Sequence, residues 1–107
     1  MIANTWYCIA KTSTFDTGCT ISVAFEGYSV QFSASVKYGL SAINVINCNL
    51  PYDVLFSIRL RESGSEWFVD IYSSKEVEIN VTIADNLHWT NVNTSAGEGN
   101  IILILND

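Results

Sequence analysis

The chain has 107 residues, a formal net charge of −6 and a sequence pI near 4.4, which is enough length for one hydrophobic core and not for two. Five Lys and Arg stand against eleven Asp and Glu and form no basic cluster, which excludes recognition of a phosphate backbone and attraction to anionic membrane surfaces. Hydrophobic residues make up 49% and charged residues only 15%, against a usual charged share of about 25%, so the surface is either neutral and polar or partly buried against other chains.

The opening MIANTWYCIA has neither a basic n-region nor a long apolar run and does not read as a signal peptide. No stretch reaches the roughly 18 apolar residues of a membrane span. Within TWYCIA, strand alternation sets Trp6, Cys8 and Ala10 against Tyr7 and Ile9. CTISVAF turns Cys19, Ile21, Val23 and Phe25 one way and Thr20, Ser22 and Ala24 the other, and Glu26-Gly27 is a hairpin signal. YSVQFSA then sets Tyr28, Val30 and Phe32 inward and Ser29, Gln31 and Ser33 outward. Residues 38–42 read as a loop, Ile43 to Cys48 as a strand, and 49–53 as a turn around Pro51. VLFSIRLRE alternates Val54, Phe56, Ile58 and Leu60 with Leu55, Ser57, Arg59 and Arg61. A turn at Ser63 to Glu66 leads into WFVDIYS. VEINVTI alternates Val77, Ile79, Val81 and Ile83 with Glu78, Asn80 and Thr82, and the chain closes on the apolar NIILIL.

No window repeats apolar residues at helical spacing over three turns. The expected fold is therefore all-β: a single domain over 1–107, an antiparallel β-sandwich of about eight strands, jelly-roll-like. Three segments carry apolar residues on both faces: TWYCIA, WFVDIY and IILIL. Their outer sides need a cover, either a loop or a neighbouring subunit, because large exposed apolar patches are rare on soluble monomers. The three cysteines, Cys8, Cys19 and Cys48, have no metal-ligand spacing. They read as small buried strand residues, with a Cys8–Cys19 bridge left open.

Catalytic signals are thin. There is one histidine, no nucleophile elbow and no phosphate loop, since SAGEGN lacks a lysine and a following helix. Asp70, Glu76, Glu78 and Asp85 are the available carboxylates for paired acid–base work, and Asp53 or Asp85 with Asn86 is too sparse for a cation. The expectation is a protein that is not an enzyme and uses no metal and no cofactor. Recognition of a neutral ligand needs a rigid aromatic face and fixed amides and hydroxyls. DNLHWTNVNTS, residues 85–95, has that chemistry, and Asp85, His88, Trp89, Asn91 and Asn93 are its candidate ligand-binding residues. The competing reading makes LHWTNV an ordinary strand with Trp89 in the core. The Tyr38 loop and the Tyr52-Asp53 turn are lesser candidates.

TWYCIAK at the start, WFVDIY followed by a turn and VEINVTI, then HWTNVN and an apolar last strand, together resemble the C-terminal head domains of bacteriophage tail fibres and receptor-binding proteins. The resemblance spans most of the chain through general spacing and carries over no individual residue. It implies an adhesive β-sandwich that forms a homotrimer at the distal end of a virion tail fibre, is made in the host cytoplasm, and binds a host cell-surface glycan or protein receptor. Such proteins leave by lysis and need neither signal nor disulfides. The alternatives are a secreted carbohydrate-binding module, or a structural virion protein without a ligand.

Overall fold

In a computed structural model, which describes residues 1–14, 16–37, 41–84, 88–97 and 101–105 and only the backbone of 101–104, the alternating segments become nine strands. They are β1 (Thr5–Thr12), β2 (Thr17–Phe25), β3 (Tyr28–Val36), β4 (Ala42–Asn49), β5 (Phe56–Ser63), β6 (Glu66–Ser73), β7 (Asn80–Ile83), β8 (Thr90–Ser95) and β9 (Ile101–Leu105). All ladders are antiparallel. One sheet has the order β8-β1-β6-β5-β9 and the other β4-β3-β2-β7. The fold is the antiparallel β-sandwich expected. Its wrap combines local hairpins, β2–β3–β4 and β5–β6, with chain crossings from sheet to sheet after β1, β4, β6 and β7.

The period-two pattern explains why these strands stack. Ile21, Val23, Val30, Phe32, Phe56, Ile58, Leu60, Val69 and Ile71 are each at most 1% exposed and form one shared core. Fully burying each such side chain is worth about 1.5–3 kcal/mol. The hairpins hold the register. Glu26 and Gly27 both have positive φ, 50° and 81°, the backbone of a two-residue turn whose twist matches the flanking strands. Glu26 adopts this conformation despite its Cβ. At the β5–β6 turn the positive φ falls on Gly64, 64°, where a side chain would be strained.

Strict alternation fails in three places. In β1 the register to β6 slips between Cys8 and Ala10, so Ile9 is an extra residue in that strand. Such a bulge turns two neighbouring side chains toward one face. Ile9 and Ala10 both enter the core, 1% and 0% exposed, and Ala10 therefore leaves the face expected for it beside Trp6 and Cys8. In β4 the register to β3 slips opposite Gln31 and Phe32; Ile46 is the extra residue and is 56% exposed. In β5 the outward position Arg59 is not wet: it is 2% exposed.

One further correction, and the answer to a question left open, concern cysteine. Cys8 and Cys19 are buried but Cys48, near the end of edge strand β4, is exposed. Cys8 and Cys19 lie in opposite sheets and no disulfide forms among the three.

Candidate functional site

The polar run that stood out in the sequence begins beside the core. Thr12 at the end of β1 donates its hydroxyl to the His88 carbonyl at 2.6 Å, which pins the chain just before Trp89. Trp89 is 1% exposed and belongs to the core cluster. Its ring offers no face to solvent, and its buried Nε1 has no hydrogen-bond partner among the described residues. Trp89 is an anchor from which β8 departs along the edge of the five-stranded sheet. The His88 side chain is exposed. Asp85, Asn86 and Tyr38 lie outside the described residues.

Beyond Trp89, β8 is almost entirely solvent-facing and carries only Thr, Asn, Val and Ser. Its pairing with β1 slips between Cys8 and Ala10, where Thr94 and Asn91 are the flanking partners. Val92 and Asn93 thus face the single residue Ile9. This irregularity re-aims side chains, and Asn91, Val92 and Asn93 in succession line one cleft of about 210 Å³. Its other walls are Tyr7 and Ile9 from β1, and Val81 from β7 with Ile79 just before it. The cleft lies on the open side of the sandwich where β7, the edge of one sheet, approaches β8, the edge of the other.

The cleft has an apolar floor and a polar rim. Asn91 and Asn93 are exposed and Tyr7 is half-buried. Among the described residues, neither side-chain amide nor the Tyr7 hydroxyl is engaged in a hydrogen bond. Each amide has two donors and a carbonyl acceptor available, and the phenol one of each. The structure thus brings Asn91 and Asn93 together and sets Trp89 behind them and His88 apart. Tyr7 was missed by the sequence reading. The one signal for it was its place on the second apolar face of TWYCIA.

The remaining candidates resolve differently. Tyr52 is 94% exposed and Asp53 pairs with Lys75. That pairing lowers the carboxyl's pKa and raises the ammonium's. Glu76 and Glu78, with Glu26 and Tyr28, border a larger open groove of about 760 Å³ between the β2–β3 turn and the β6–β7 link. Among the described residues no three His, Cys, Asp or Glu side chains gather as a metal-binding set.

Asp70 is fully buried on the outer face of the five-stranded sheet. Its Oδ2 accepts Nε of Arg59 and Nε of Arg61, each at 2.7 Å, and its Oδ1 accepts a second Arg61 nitrogen at 3.3 Å. The Arg59 guanidinium lies 4.2 Å over the Trp6 ring and that of Arg61 lies 4.3 Å over Phe68. Trp6 in turn packs against Tyr72 at 5.5 Å. Arg59 also donates to the carbonyl of Gly97, on the link from β8 to β9. Cys8 sits opposite Asp70 in the ladder. Burial first, and then the Asp70 charge, push its thiol up from 9.0 to about 12. A thiol held protonated in this way is not a nucleophile near neutral pH. The cluster is a clamp, and part of the cover for the second apolar face comes from within the chain.

No family model, no curated protein and no solved structure matches this chain.

Proposed function

We propose that this sandwich is a non-catalytic recognition domain, a fibre-head adhesin of the phage receptor-binding type, and that it binds a host cell-surface glycan at the cleft beside β8. The observation that carries this reading is the pair of amides, Asn91 and Asn93, engaged by no described residue and set at the mouth of an apolar cleft next to the Tyr7 phenol. A sugar presents an apolar ring face and a hydroxyl rim, and this cleft offers the complementary pair of surfaces. β8 is held on one side by β1 and at its start by the Trp89 anchor, so its side chains are presented without a large ordering cost. The homotrimer and the virion location belong to the same proposal and draw their support from the resemblance.

The test is binding to a glycan array and to candidate host cells by wild type and by the Asn91→Ala/Asn93→Ala double variant. Both positions are exposed, so the variant should keep the wild-type unfolding curve, and its binding should fall at least tenfold. Undiminished binding by the folded variant would remove β8 from the site. Light scattering tests assembly separately: a trimer has three times the 11.9 kDa of one chain, and a monomer at high micromolar concentration would end the trimer proposal. A glycan-silent trimer would favour the structural virion reading.

A further inference from the structure

We infer that the β8 cleft takes a single uncharged pyranose ring, the terminal residue of a neutral glycan, and discriminates against acidic sugars. This rests on the reading of β8 as a recognition edge and names the ligand class for that same site.

Charge comes first. The walls are formed by Tyr7, Ile9, Val81, Asn91, Val92 and Asn93, with Ile79 beyond, and none carries a cation. A carboxylated sugar needs a charge-assisted partner, usually Arg or Lys, to offset the loss of its hydration. Lys11 is the nearest basic residue along β1. It is paired in the ladder with Phe68, on the outer face of the sheet, and its ammonium faces Glu66 at 3.7 Å. The other cations on this sheet, Arg59 and Arg61, are committed to Asp70. With a net charge of −6, the protein's long-range field also repels anions.

Size comes second. A volume of about 210 Å³ is smaller than the roughly 300–1,000 Å³ of sites that enclose drug-sized ligands. It holds about seven waters at ~30 Å³ each, which is room for one sugar ring and not for a chain of them. The internal residues of a polysaccharide have neighbours on both sides, so an end residue fits best.

The arrangement of groups comes third. The bulge opposite Ile9 puts two amides and an intervening Val on one short arc. Each amide can donate to one hydroxyl and accept from its neighbour on the ring, while Val92, Val81 and Tyr7 meet the ring's C–H face. Among the described residues the walls hold no carboxylate or imidazole.

The test uses protein-observed NMR with methyl β-D-glucopyranoside, methyl β-D-galactopyranoside and N-acetylglucosamine as neutral probes, and glucuronic acid and N-acetylneuraminic acid as charged ones. At least one neutral probe should shift the amide signals of Asn91 and Asn93 and bind at least tenfold more tightly than either acid. Asn93→Lys should narrow or reverse that preference by raising affinity for glucuronic acid, and the Asn91→Ala/Asn93→Ala variant should lose the neutral probe. An acid that binds wild type as well as the neutral sugars, with shifts at β8, overturns this inference and leaves the recognition reading standing. Shifts confined to another surface, or none with any sugar, overturn both.

Discussion

On the four-stranded sheet the outward positions are Thr20, Ser22, Ser29, Gln31, Ser33 and Thr82, and all are exposed or half-exposed. On the five-stranded sheet they include Trp6, Cys8, Lys11, Ser57, Arg59, Arg61, Phe68, Asp70 and Tyr72, and Cys8, Ser57, Arg59 and Asp70 are buried. Both faces look polar or mixed as strings of letters. The difference comes from connectivity. β8 and β9 sit at opposite edges of the larger sheet, and the described start of the link between them, Ala96 and Gly97, contacts residues of the five-stranded sheet. Gly97 on that link accepts from Arg59, and Ala96 donates to the Trp6 carbonyl. The smaller sheet shows no comparable contact among the described residues. Alternation therefore tells which side of a sheet a residue takes, while the path of a distant link decides whether that side is wet.

The comparison breaks most visibly at Asp70. Removing it leaves Arg59, whose side chain is 3% exposed, and Arg61, at 17%, without a counter-charge. Breaking one partner of a buried ion pair costs about 3–5 kcal/mol, a large part of the roughly 5–15 kcal/mol that holds an ordinary domain together. Asp70→Ala should lower stability by about that amount in urea unfolding. A loss below about 1 kcal/mol would fit an exposed pair instead and would contradict the burial of the clamp.

The same clamp shows where the sequence was legible and where it was not. The apolar half of β2, β3 and β5, the Glu26-Gly27 turn and the turn at Ser63 to Glu66 are local signals, and each lies where its pattern put it. Arg59, Arg61 and Asp70 are far less legible, because their environment depends on strand neighbours up to 11 residues away and on Gly97, 38 residues away. The bulges in β1 and β4 were invisible for a related reason: an inserted residue is seen only against its partner strand. At the candidate site, Asn91 and Asn93 could be picked by residue type. Their companion Tyr7 is 84 residues from Asn91, and only the β1–β8 pairing brings the two together.

A sharper test asks whether the clamp stabilises the fold or specifies it. Replacing all three charges at once, Arg59→Met, Asp70→Leu and Arg61→Met, leaves no charge unpaired. Exchanges of this kind are often neutral or stabilise by about 1–4 kcal/mol. The triple variant should therefore be at least as stable as wild type in the same urea titration, although Asp70→Ala alone is crippled. The Gly97 carbonyl would then lose its donor, and hydrogen exchange at Ala96, which donates to Trp6 at 3.0 Å, should speed up. A triple variant as unstable as Asp70→Ala would mean that the arginine stems and their contacts with Trp6 and Phe68 matter more than the charges.

Cys8 reports on the same face through pH. Its folded pKa is near 12 against an ordinary 9.0, so between those values the folded protein holds a proton that the unfolded chain has released. The resulting stabilisation is complete below the ordinary thiol pKa and is lost as pH rises toward the folded one, with a limiting slope of about 1.4 kcal/mol per pH unit. The Cys8→Ala variant should show a flatter alkaline profile than wild type. In the native protein near pH 8, iodoacetamide should modify exposed Cys48 and leave Cys8 untouched. Equal labelling of the two, seen by mass spectrometry, would mean that the outer face opens readily.

The smallest expected effect lies on the other sheet and is the control that gives the comparison its meaning. Gln31 and Ser33 project from β3 on its outer side, are only half-buried and take part in no side-chain hydrogen bond with a described residue. Changing either to Ala removes a solvated group and creates no cavity, so stability should stay within about 0.5 kcal/mol of wild type. A loss above about 1.5 kcal/mol at both positions would exceed that range for open surface. It would indicate that this face, too, is covered in solution, and a second copy of the chain would then be the cover to look for by repeating the unfolding at several protein concentrations.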